Sequence, residues 1–78
     1  MSQRRFPVLS GKAVVKALGN AGFQIRRVRG SHHILVKPGV EPRIVSVPVH
    51  GNRPLAKGTL AGIVEESGLS DEEFIALL

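Results

Sequence analysis

The chain has 78 residues, no cysteine, and eleven Lys and Arg against six Asp and Glu, for a formal net charge of +5. That length holds one small domain with a modest core, and the missing thiols exclude both a disulfide framework and a cysteine-built metal site. No apolar stretch approaches the roughly 20 residues that span a bilayer, so no membrane partner is expected, while the positive charge favours an anionic partner such as nucleic acid.

The opening "MSQRRFPVLSG" lacks the continuous hydrophobic region of a secretory signal, which makes a cytoplasmic location the expectation. Residues 1–9 read as a basic leader, with Arg4 and Arg5 suited either to grasping RNA or to a disordered tail. Residues 10–78 read as the single folded domain. Ser10 is placed to cap a helix whose apolar positions Val14, Val15 and Leu18 share one face. "GNAG" ends it, with Gly22 suited to the left-handed C-terminal position.

"FQIRRVR" is rich in strand formers, although its alternation slips at Arg27 and Val28. Gly30 supplies a turn into the strand "SHHILVK", "PGVEP" a second turn, and "RIVSVPV" a third strand. Because Pro48 cannot donate a ladder hydrogen bond, the third strand belongs at a sheet edge, or its final residues are already leaving the sheet. A second helix spans about Lys57 to Glu66 with Leu60, Ile63 and Val64 on one face, and Gly68 follows it. Ser70 and Glu73 fit a capping box for a short third helix that turns Phe74, Ile75 and Leu78 inward.

The order α-β-β-β-α predicts an α+β domain: a three-stranded antiparallel sheet with helices on one face and the other face wet. That layout is the architecture of the double-stranded RNA-binding domain. Five of the six acids follow residue 64, leaving Glu41 as the single acid of the first 64 residues. The anion-binding surface is therefore expected in the first part of the chain. Arg26, Arg27, Arg29 and Lys57 are its candidate RNA contacts, although strand alternation separates Arg26 from Arg27 and Arg29. Lys57 opposes the dipole at a helix N-terminus, which a bound phosphate would offset. Lys12 and Lys16 read as a solvated face.

Neighbouring His32 and His33 must point to opposite faces of a strand, so they cannot act as a pair. A metal site is not expected, because the only other histidine is His50 and the isolated acid Glu41 lies in a turn. A tight hairpin around "PGVEP" would set Lys37 opposite Arg43 and His32 opposite Pro48, with His50 one diagonal step away on the same face. A one-residue slip would instead bring His33 and His50 together. RNA carries its own nucleophile, and its cleavage needs a base for the 2′-hydroxyl and an acid for the leaving 5′-oxygen. Histidine can serve as either. His33, beside Ile34 and Leu35, reads as a packing residue, and His50 before Gly51 is compatible with a plain turn role. His32 follows Gly30 and Ser31 at the mouth of a hairpin, where backbone can approach a phosphate closely.

The segments "SGKAVVKALGNAGF", "RGSHHIL" and "VSVPVHGNRPLAKGTLAGIVEESGLSDEEF", taken together and in order, resemble the HicA family of toxins, also described as YcfA-like mRNA interferases. The resemblance runs from Ser10 to about Phe74. It implies a double-stranded RNA-binding-like fold, endoribonuclease activity on mRNA and inhibition by a HicB-type antitoxin, while the acid–base chemistry above requires no metal or cofactor. It assigns the catalytic histidine after Gly-Ser to His32, with Gly30, Ser31 and the Val-Pro-x-His histidine His50 as supporting residues. The leader departs from the shorter members of the family. Two other readings stay open on the residues alone: a non-catalytic RNA-binding module of the same fold, and a structural subunit of a larger regulatory complex.

Overall fold

A computed structural model describes residues 6–78. Arg4 and Arg5 lie outside the described residues. Helix α1 (Gly11–Asn20) starts at Ser10, whose side chain accepts from the Ala13 N–H at 3.2 Å. It stops at Gly22, where φ is 101°. There the Gly22 N–H bonds the Gly19 carbonyl and the Phe23 N–H bonds the Leu18 carbonyl, each at 3.0 Å. This is the Schellman pattern, and Leu18 and Phe23, the two residues that it brings together, both enter the core.

Strands β1 (Gln24–Arg29), β2 (His32–Lys37) and β3 (Arg43–Pro48) form one antiparallel sheet in the order β1-β2-β3. β3 is at an edge, and Pro48 is its last residue. The second hairpin has the expected register, Lys37 opposite Arg43 and His32 opposite Pro48. The slip in the first strand is a β-bulge at Arg26: Ile25 pairs with Leu35 and Arg27 with Ile34, so Ile25 and Val28 share a face despite their odd spacing.

Helix α2 (Lys57–Ser67) ends at Gly68 in the left-handed conformation, with φ 79°. Arg43 packs its guanidinium against that glycine and donates to the Glu66 carbonyl at 3.4 Å, which gives an orphan helix carbonyl a cationic donor. Helix α3 (Asp71–Ile75) carries the expected reciprocal capping box between Ser70 and Glu73.

Leu35, Val45 and Val47 of the sheet join Val14, Leu18, Leu60, Ile63, Val64 and Phe74 of the helices in one buried cluster. Ile44 and Ser46, which alternate with the two valines in β3, are exposed. The helices therefore lie on one face of the sheet, and the other face is open. Packing is closest where α1 meets the end of β3: a Cβ at Gly11 would overlap the Pro48 carbonyl oxygen. The chain end differs from expectation, because Leu78 is 51 % exposed and Leu77 packs on the core instead. Phe6 also packs there, edge-to-face on Phe74 with ring centroids 5.6 Å apart.

Candidate histidine site and nucleic-acid interface

The site is built on the β1–β2 hairpin. Arg29 and His32 close a two-residue loop of Gly30 and Ser31. Gly30 has φ 57° while Ser31 keeps a negative φ, the sign pattern of a type II′ turn with glycine first. The match between that turn and the twist of the strands fixes where His32 stands.

Leu35 faces the helices, so alternation puts His32, Ile34 and Val36 on the open face, and cross-strand pairing adds Arg29 opposite His32 and Arg27 opposite Ile34. Directly opposed side chains in an antiparallel pair have Cβ atoms about 4.5–5.5 Å apart. An exposed imidazole thus has a guanidinium as its cross-strand neighbour and a second one further along the same face. On its other side His32 meets Pro48, a residue with no N–H to compete for a ligand.

His50 lies past the end of β3 and is exposed. The Val49 N–H donates to the Ser31 carbonyl at 2.6 Å, extending the ladder by one residue beyond His32 and Pro48. His50 follows that bond directly, and its carbonyl accepts from Arg53 at 3.0 Å in the turn that leads away. The backbone thus brings the segments carrying His32 and His50 side by side, in the register without the one-residue slip.

The remaining candidates are separated from this group. Arg26 is the bulge residue and has no opposite partner in β2. Lys57 is exposed in the first turn of α2, beyond the loop that follows His50, at an N-terminus with no side-chain cap. His33 points to the helix side between Val28 and Val47, half-buried, and its Nδ1 is buried with no hydrogen-bond partner among the described residues. That half-buried placement between two valines matches a packing role for His33.

No group of three or more His, Cys, Asp or Glu among the described residues is placed to hold a metal ion. A groove of about 450 Å³ lined by Leu9, Ala17, Asn20 and Leu77 lies between α1 and the chain end, and none of the candidate site residues lines it. No helix among the described residues is long and apolar enough to cross a membrane. The sequence reading passed over the apolar half of the open face, where Ile34 and Val36 are half-buried and Ile44 is 66 % exposed. Its signal was available in the alternation of "HILV" against "RIVSV".

Fold and site together define a small basic α-β-β-β-α domain that presents a histidine and two arginines on an open sheet face. The family model for the HicA toxin of bacterial toxin–antitoxin systems matches residues 11–69, and the chain belongs to that family. A D-alanine–D-alanine ligase of Rhodopseudomonas palustris (strain BisB18) is 36 % identical to this chain over 69 residues. The match covers 87 % of this chain but 22 % of that protein.

Proposed function

We propose that this chain is the endoribonuclease toxin of a toxin–antitoxin pair, cleaving mRNA with His32 as its principal acid or base. The observation that carries this reading is the exposed His32 ring opposite Arg29 on the open face of a HicA-family domain. In the reaction the 2′-oxygen loses its proton to a base and attacks the adjacent phosphorus. The bond to the 5′-oxygen breaks, and an acid protonates that oxygen, leaving a 2′,3′-cyclic phosphate and a 5′-hydroxyl. A histidine can fill either role at neutral pH.

Arg29 and Arg27 share the His32 face and stabilise the added charge on the phosphorane, a task for which a planar guanidinium fork is suited. Gly30 and Ser31 set the turn that presents His32. His50 is the candidate for the complementary proton transfer, since the Val49–Ser31 bond holds its segment beside the hairpin. Arg26 and Lys57 extend the cationic surface to neighbouring phosphates. The nucleophile belongs to the substrate, so this chemistry calls on no metal or cofactor. A HicB-type antitoxin is the protein partner, and by covering His32 it would silence the enzyme. An acidic surface on that partner would speed association with so basic a toxin.

The test is a cleavage assay of the purified wild type and His32→Ala, with product ends mapped and a chelator present. The wild type should yield cyclic-phosphate ends, and His32→Ala should bind RNA without cutting it. Cleavage by His32→Ala would remove this residue from the mechanism. Salt-sensitive RNA binding by an uncleaving wild type would instead identify a plain RNA-binding module.

A further inference from the structure

The edge strand β1 lends its arginines to RNA cleavage, but its free backbone edge and its exposed Ile25 and Val28 have no part in that reaction. All six of its residues are exposed, and among the described residues no strand pairs with its outer side. The bulge at Arg26 sorts its side chains by face: Arg27 and Arg29 on the open face, Ile25 and Val28 on the helix face, the two apolar ones each 53 % exposed. An edge strand with free N–H and C=O groups is a template for another strand, and proteins ordinarily guard such edges with charge and bulges.

The guard here is of one sign. β1 carries Arg26, Arg27 and Arg29 and no acid. A second copy pairing antiparallel on this edge would bring two sets of three arginines into one ribbon, and like charges opposite one another are destabilising. That arrangement repels the chain's own copies while leaving the edge open to a strand of opposite charge.

We propose that β1 is a docking strand for an acidic extended segment of the antitoxin, which joins the sheet with carboxylates beside Arg27 and Arg29 and apolar side chains beside Ile25 and Val28. This rests on the partner being a protein antitoxin, as in the reading above. Main-chain hydrogen bonds along the edge supply affinity, and the two-faced side-chain pattern supplies selectivity. The strand would reach the Arg29 end of β1, beside His32, so the same contact carries the antitoxin to the site that it must cover.

The probe is a cyclised hairpin peptide whose outer strand alternates Glu and Val, with a control carrying Lys for Glu. It is titrated into the full chain while backbone amide shifts are followed by NMR. The Glu peptide should perturb the amides of residues 24–29, and the Lys peptide should not. The exposed-site double variant Ile25→Ser, Val28→Ser, which removes the apolar contacts without changing the charge, should weaken binding at least about tenfold. Binding unchanged in that variant, shifts confined to the His32 face, or self-association of the free chain through β1 would each overturn the proposal. RNA cleavage is measured on the same samples. Cleavage without peptide binding sinks the docking strand alone, and binding without cleavage sinks the nuclease reading alone.

Discussion

Both β1 and β3 are edge strands of six residues, yet they are built for different surroundings. β3 alternates strictly. Its Val45 and Val47 are fully buried beneath the helices, while Ile25 and Val28, their counterparts on β1, remain more than half exposed. The helices cover the β2–β3 half of the sheet and leave β1 overhanging. The covered half therefore supplies the stability, and the uncovered half is free to carry charge and to accept a ligand. His32 sits on β2, where the two halves meet.

The sharpest way to break this division is to truncate one residue in each half. Leu35→Ala, in the covered half, should lower unfolding free energy by about 2–5 kcal/mol. Val28→Ala, on the overhang, should change it by no more than about 0.5 kcal/mol. Urea titrations of the two variants decide the matter, and comparable losses would mean that β1 is as much a part of the core as β3.

A second change tests the close approach at the end of β3. Gly11→Ala favours the helix by up to about 1 kcal/mol through propensity alone. The added methyl would overlap the Pro48 carbonyl, which belongs to backbone and cannot swing aside. Overpacking of that kind costs about 1–3 kcal/mol, so the expected net effect is a lowered Tm. Pro48 also lies opposite His32, and the shift should slow RNA cleavage as well.

How far the sequence foretold this arrangement depends on the range of the interaction involved. The Schellman end at Gly22, the Ser70–Glu73 capping box and the His32–Pro48 register are set by contacts between near neighbours or by one hairpin. The first two were legible in the order of residues, and the third was one of two registers that the residues left open. "QIRRVR" announced an irregularity at Arg27 and Val28, but a broken alternation does not say which residue is extruded. Pairing with β2 assigns the bulge to Arg26. The exposure of Ile25 and Val28 was not legible at all, since it depends on where two helices settle. For the same reason Leu77 rather than Leu78 turned inward, and Phe6 found Phe74 from a segment with no periodicity to announce it. For the site, strand alternation grouped Arg27 with Arg29, and only the pairing of β1 with β2 in the structure sets His32 opposite Arg29.

On the uncovered half, Arg29→Ala should weaken RNA binding across all sequences and reduce the salt dependence of binding by about one phosphate contact. Its effect on stability should stay within about 0.5 kcal/mol. Lys12→Ala, on the solvated side of α1, is the control and should leave the salt slope unchanged. Equal slopes for the two variants would dissolve the distinction between a cationic site and general positive charge.

The smallest expected effect lies in the helix layer and depends on pH. The Glu73 carboxylate accepts from the Ser70 N–H at 2.7 Å, and that bond, with the Ser70 side chain and the more distant charge of Lys37, holds its pKa below the ordinary glutamate value. A group whose folded pKa is depressed stabilises the fold above its unfolded pKa and loses that contribution as pH falls through the folded value. Glu73→Gln can keep the reciprocal cap but not the charge. The wild type should therefore melt slightly above the variant at neutral pH, and the difference should close as the pH drops below the glutamate range. Because the cap begins the helix that seats Phe74, the change should register at Phe74 and Phe6 and leave the amides of β1 still. A gap that persists at low pH would assign the effect to packing rather than to the carboxylate, and matching movement in β1 would show the two halves of the sheet to be coupled.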